Sequence, residues 1–315
     1  MKAGHQTTLK ERAVINGFGV HSNAPARLVL HPAEANSGIV FLRTGLPGGR
    51  ERLIDAKWSS VSMTELCTVI GDASIATVST VEHLMAALCG LGVDNVLVEV
   101  DGPEVPIMDG CSEAFVEAID QVGVVELKAR RRYIKVLKQV RVDQGRAFSE
   151  LRPFDKGFRL EVEIDFKSSV IGRQKRVIDL EPNVFRRDVC RARTFGFLSD
   201  VERLWKAGFA LGSSLDNSVA IDGERIMNPE GLRYTDEFVR HKMLDAIGDL
   251  SLAGGPILGA YRSYCGGHRM NVAVLEALFS DRTAYEIVEA APARREGLRA
   301  EMARAAVPVY SADRS

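Results

Sequence analysis

The chain has 315 residues, of which 46% are hydrophobic, and a formal net charge of −1. That is enough for a sizeable core and for two domains, and the charge balance excludes a general nucleic-acid or membrane surface, leaving at most a local patch for an anionic substrate. No run approaches the length of a membrane span, Met1–Gln6 carry no apolar signal core, and five Cys at 67, 89, 111, 190 and 265 without a Cys-x-x-Cys point to inert thiols in a reducing cytoplasm.

In chain order, the residues of 26–32 and 38–42 alternate as strands do. Residues 79–88 read as a helix with Ser79 or Thr80 as its N-cap and Gly90 as its end. A strand over 95–100 leads into a loop holding Pro103 and Pro106, after which Ser112 is expected to cap a helix running to about Gln121. The basic run Lys128–Arg132 marks a boundary and reads as a solvated linker, with contact to substrate phosphates as the alternative. Beyond it come strands over 133–137 and 159–166, a helix near 199–207, a helix over 237–250 and a last helix after Met270. Each half thus carries strands and about two helices, which hints at a duplicated α/β unit without repeat-level identity. The expected organisation is 1–128, 129–290 and an Ala/Arg-rich tail of 291–315 that is an exposed helix or disordered. Within the tail, Ala305–Tyr310 is a candidate handle for a protease or partner.

The helix over 237–250 is the most informative segment. Phe238, Leu244, Ile247 and Leu250 form its apolar face, and His241, Asp245 and Asp249 stack four residues apart as a polar stripe. A His and a carboxylate one turn apart can hold one side of a zinc ion, and a third ligand must come from elsewhere. The other histidines are His5, His21, His31, His83 and His268. His5 lies near a terminus expected to fray, His31 precedes Pro32 at a strand end, and His21 reads as a turn histidine bonded to backbone. Alone, Glu82–His83 reads as a solvated pair, and His268 as polar surface at a helix start. Together they say more. His83, His241 and Asp245 make a three-ligand set with a fourth position open, as catalytic zinc requires. Beside it Glu82 can take a proton from water, and His268, preceded by Gly266 and Gly267, can give one to a leaving group. Asp249 is placed to support a ligand or orient His268, and Lys242 to bind an anionic or carbonyl oxygen.

Several segments occur together and in order: Ser79–Leu84, Pro106–Gly110, Arg191–Phe197, Leu215–Asn217, Asn228–Tyr234, Asp236–Leu250 and Gly267–His268. With these motifs the chain, over roughly residues 6–290, closely resembles the UDP-3-O-acyl-N-acetylglucosamine deacetylase family, the zinc amidases of bacterial lipid A synthesis. The resemblance implies an α+β fold of two similar layered α/β sandwich domains with the site between them. It implies one catalytic Zn2+ held by His83, His241 and Asp245, with Glu82 as general base and His268 as general acid oriented by Asp249. Thr194 would help stabilise the oxyanion, and Lys242 and Phe195 would contact the sugar nucleotide. Segment 197–222 corresponds to an insert that encloses the acyl chain, with Leu198, Val201, Ala210 and Ser214 matching positions that line it; ordinary packing of a small insert is the plainer reading of those four. Cys190, Ser213 and Gly266 depart from the family's usual Ser, Gly and Ser without removing a catalytic group. The implied reaction is hydrolysis of the N-acetyl group of UDP-3-O-(3-hydroxyacyl)-N-acetylglucosamine to the amine and acetate, the committed step of lipid A biosynthesis. The implied partner is that small-molecule substrate, with no nucleic acid and no stable membrane insertion, and the implied location is cytoplasmic. A zinc amidase acting on another acylated amino sugar, a non-catalytic lipid-sugar binding module and a dehydratase-like activity are the alternatives.

Overall fold

The computed structural model describes residues 4–290. The tail and the handle expected at Ala305–Tyr310 lie outside the described residues.

Among the described residues six α-helices punctuate the strands: α1 (Glu82–Leu91), α2 (Glu113–Val122), α3 (Pro182–Asp188), α4 (Leu198–Lys206), α5 (Glu237–Ser251) and α6 (His268–Ser280). In the first half, Ala26, Leu28 and Leu30 turn to one face of the strand Pro25–Pro32 and are buried. That strand belongs to a five-stranded sheet in the order Ala13–Phe18, Pro25–Pro32, Val96–Val100, Ile39–Leu46, Arg50–Asp55. A small antiparallel sheet of Val61–Met63, Val69–Asp72 and Ala76–Val78 lies apart from it. In the second half, Ile257–Tyr264 runs parallel to Phe158–Asp165 on one edge and antiparallel to Ala147–Arg152 on the other. A separate small sheet, Phe195–Phe197, Val219–Asp222 and Arg225–Ile226, carries the insert with α4. Among the described residues no strand of 5–130 pairs with one of 132–289. The fold is α+β, as expected.

What joins the halves is a pair of helices buried nearly all round, α1 from the first and α5 from the second. They touch where Gly248 of α5 meets the Glu82 backbone; a Cβ at Gly248 would collide with the Glu82 carbonyl oxygen. Helix α1 starts later than expected. Thr80 adopts φ +58, Ser79 is held in an isolated bridge to Glu104, and Val81 is the N-cap residue. Gly90 is inside the helix, where a side chain would strike the Phe185 ring, and Gly92 (φ +71) closes it. Ser112 occupies the N-cap position of α2, but its hydroxyl donates to the His83 carbonyl at 2.7 Å rather than to the helix.

Two other expectations are corrected. The run Lys128–Arg132 is not a linker, because the strands Val124–Arg130 and Arg132–Val136 leave only Arg131 between them, although Lys128, Arg130 and Arg132 are solvent-exposed as expected. Arg131 is mostly buried, pairs with Asp94 at 2.8 Å and donates to the Gly92 carbonyl at 2.6 Å. His5 does not fray: it begins the strand His5–Leu9, which pairs with Val124–Arg130.

Candidate metal centre

The first turn of α1 brings His83 against His241 and Asp245 of α5. One ligand atom from each lies within 4.8 Å of the others, and all three residues are buried. Asp245 Oδ1 is 3.3 Å from His241 Nε2 and 3.6 Å from His83 Nε2, and the imidazoles meet edge to face at 5.1 Å. His241 Nδ1 lies 3.0 Å from the Ala192 carbonyl, which can only accept, so Nδ1 carries the hydrogen and the lone pair of Nε2 faces the cluster. Burial lowers the His241 pKa to about 3, so the ring is neutral, as a ligand must be. Burial opposes ionisation of Asp245, but the charge of Lys242 beside it helps hold its carboxyl well below the usual range. Asp245 Oδ1 has no hydrogen-bond partner although it is buried. A carboxylate oxygen without a donor, facing two imidazole nitrogens, is costly by itself and is satisfied by a divalent cation.

A second cluster, Asp109, Cys111 and Glu113, has the same compactness. Its charges are already met: Asp109 pairs with Arg233 at 2.8 Å and Glu113 with Arg191 at 3.0 Å, while burial pushes the Cys111 thiol up and keeps it protonated.

Glu82 and His268 flank the first cluster. Glu82 is 3% exposed and His83 4%, which overturns the solvated-pair reading. Glu82 Oε2 accepts the Thr68 backbone N–H at 3.1 Å. Burial raises its pKa, against the opposing pull of His268 and His83. His268 is the first residue of α6; its Nδ1 lies 2.8 Å from Asp249 Oδ2 and its Nε2 4.0 Å from Asp245 Oδ2. Burial alone would lower its pKa, but Asp249 outweighs that and lifts it to about 9. The site therefore holds a carboxyl and an imidazole that both bind protons more readily than usual.

Asp249, fully buried, also accepts from Thr68 Oγ1 at 2.6 Å and Asn271 Nδ2 at 2.8 Å. Asn271 Oδ1 in turn accepts the Tyr261 hydroxyl at 2.5 Å. Sequence reasoning missed Thr68 and Asn271. Asn271 stands three residues after His268 on one helix, a spacing that could have found it; Thr68 lies on no periodic pattern and had no such signal.

The remaining candidates are spread more widely. Lys242 is tied to Asp245 Oδ2 at 2.9 Å and sits 5.5 Å from the centre of the Phe195 ring. Phe195 packs edge-on against Phe238 at 4.9 Å and His241 at 6.2 Å. Thr194 donates its N–H to the Gly110 carbonyl at 2.8 Å, and its own carbonyl accepts from Val219 at 2.7 Å. On the insert, Leu198 and Ser214 are exposed, and Val201 and Ala210 half-buried. His21 does bond backbone, but the backbone belongs to the insert: Ala210 donates to His21 Nδ1 at 3.3 Å, and Leu211 and Gly212 to the carbonyls of His21 and Val20. His31 pairs with Glu99 at 2.8 Å. A cavity of about 400 Å³ lined by Asp94, Arg131, Tyr133 and Gly254 lies elsewhere along the seam and includes none of the candidate residues.

Residues 6–280 match the family model described as UDP-3-O-acyl N-acetylglycosamine deacetylase. The chain belongs to this family. It is a deacetylase, and the family is one of metalloenzymes. Relatives named UDP-3-O-acyl-N-acetylglucosamine deacetylase from Brucella ovis and Brucella canis are each 53% identical over 287 residues, covering 91% of this chain and 99% of theirs. One of the same name from Brucella melitensis is 52% identical over the same extent. Among the described residues no helix is long and apolar enough to cross a membrane.

Proposed function

We propose that the buried cluster around His83 hydrolyses the N-acetyl group of UDP-3-O-(3-hydroxyacyl)-N-acetylglucosamine, releasing acetate and the free amine. The observation that carries this reading is the partnerless Asp245 Oδ1 facing the two Nε2 atoms, with Glu82 and the Asp249–His268 pair beside it. His83, His241 and Asp245 would hold one zinc ion; this donor set of two neutral imidazoles and one carboxylate suits it. Zinc bound there would supply Lewis acidity to water and to the amide carbonyl.

The chain's own residues account for the protons. Glu82, buried beside the cluster, in its ionised form takes one proton from the attacking water as the oxygen bonds to the carbonyl carbon. The Thr194 hydroxyl donates to the oxygen that gains negative charge, a contribution typically of about 3 kcal/mol for a well-placed donor. The amine is a poor leaving group until its nitrogen is protonated. His268, held as imidazolium by Asp249 at 2.8 Å, delivers that proton as the C–N bond breaks. Lys242 compensates the Asp245 charge and lies over the Phe195 ring, and the two would contact the sugar nucleotide.

Two α/β units fit the absence of strand pairing between 5–130 and 132–289 among the described residues, which puts the division at Arg131 rather than between 128 and 129, because Arg130 pairs with His5. The insert 197–222 would enclose the acyl chain, with Leu198, Val201, Ala210 and Ser214 along it; each buried CH₂ contributes about 0.8 kcal/mol. Ala210→Trp should then raise KM for long-acyl substrates; unchanged kinetics would contradict the assignment. Reading the location as cytoplasmic rests on the five unpaired cysteines.

The roles are tested by acetate release and metal content together. Glu82→Ala and His268→Ala should each lose orders of magnitude in kcat and keep zinc, and near-normal turnover in either removes its role. Substrates with and without the 3-O-acyl group separate this reading from an amidase of other amino sugars.

A further inference from the structure

Among the described residues the motif Pro106–Gly110 makes no hydrogen bond or ion pair to a metal-ligand side chain or a proton-transfer group, yet its loop reaches both sides of the centre. The Gly110 carbonyl accepts the Thr194 N–H at 2.8 Å. Two residues on, the buried Ser112 hydroxyl donates to the carbonyl of His83 at 2.7 Å, and the Ser112 N–H donates to the Cys190 carbonyl at 2.8 Å. The loop is fixed at a third point, where Asp109 pairs with Arg233 at 2.8 Å. The Arg233 N–H donates to Glu237 at 2.6 Å, and Glu237 is the first residue of the helix that carries His241 and Asp245. Gly110 is required twice: it adopts φ +83, and a Cβ there would overlap the Asn217 carbonyl oxygen and lie 3.3 Å from Thr194 Cγ2.

We infer that the loop 106–112 is a positioning element of the reaction, which holds Thr194 at a fixed place relative to His83 through Gly110 and Ser112. The element spans two α/β halves that share no strand pairing among the described residues, so the relative position of a first-half ligand and a second-half hydroxyl needs such a tie. A hydroxyl displaced by about 1 Å loses most of its value to a charge that exists only in the transition state. The inference rests on the role given to Thr194, and the test separates the two.

The experiment is a double-mutant cycle of Gly110→Ala and Thr194→Ala, with kcat, KM, zinc content and hydrogen exchange of the Thr194 amide measured for the single and double variants. Gly110→Ala should lower kcat tenfold or more, leave KM within about twofold and zinc content unchanged, and speed exchange of the Thr194 amide. In the Thr194→Ala background it should cost less than twofold. Equal losses in both backgrounds, unchanged amide exchange or loss of zinc overturns the inference while leaving the Thr194 role standing. Near-normal kcat in Thr194→Ala alone overturns that role and the inference with it. If Gly110→Ala does not fold, Asp109→Asn breaks the Arg233 pair without adding an atom to the crowded loop. It is read by the same cycle against the same outcomes.

Discussion

The contact between α1 and α5 sets how accurately the two halves present their groups, and Gly248→Ala perturbs it with one methyl. A Cβ there would lie 2.8 Å from the Glu82 carbonyl carbon and 3.0 Å from its Cα, with the carbonyl oxygen closer still. Carbon atoms pack at about 3.5 Å, so the helices must separate by roughly 0.7 Å for the carbon and by more than about 1 Å for the oxygen. Glu82 and His83 ride on one helix and His241, Asp245 and Asp249 on the other, so this displacement falls on the reacting geometry itself. A misplacement of about 1 Å costs roughly 100-fold in rate, or about 2.7 kcal/mol. Overpacking would also destabilise the fold by about 1–3 kcal/mol, partly offset by about 1 kcal/mol from the better helix propensity of Ala. The assay is acetate release with purified variant, alongside urea denaturation to show that folded protein is being measured. The expected result is a loss near 100-fold in kcat/KM with a modestly lowered midpoint. Activity within about threefold of the parent would refute the claim that this contact sets the site.

Two further outcomes follow from the buried charges. The folded-state pKa of His268 is raised to about 9, so its acid form persists through neutral pH and is lost only as pH rises through that value. Asp249→Asn removes the charge that raises it, so the alkaline limb of the kcat/KM profile should move to lower pH by about a unit or more; a limb that stays in place would contradict the pairing. Glu237 is fully buried and accepts from Arg193 Nε at 2.9 Å and from the backbones of Arg193 and Arg233. Glu237→Gln leaves the Arg193 guanidinium without its buried counter-charge and should cost about 3 kcal/mol, seen as a lower urea midpoint; an unchanged midpoint would mean Glu230 alone compensates it.

Much of the centre was legible because helical spacing is a local property. His241, Asp245 and Asp249 recur every four residues, so their shared face follows from the sequence, and the structure places them on one buried helix. Glu82 and His83 were legible as chemistry but ambiguous in burial, because α1 carries apolar residues all round and its pattern does not say which side faces a partner. The partners that tune these groups come from distant segments: Thr68 reaches Asp249 across 181 positions and Ser112 reaches His83 across 29. Ser112 misled for a specific reason. Its sequence position is that of an N-cap, but a nearer buried carbonyl claims its hydroxyl. Gly90 misled likewise, since the Phe185 ring, not a helix end, demands a glycine there. Arg131 looked like part of a solvated run until the fold brought Asp94 to it.

The most direct test of the account is metal analysis joined to acetate release for the purified protein and its Asp245→Ala variant. The account predicts one zinc per chain with zinc-dependent acetate release in the parent, and loss of both metal and turnover when Asp245 Oδ1 is removed. Full zinc content or undiminished acetate release in Asp245→Ala would contradict it.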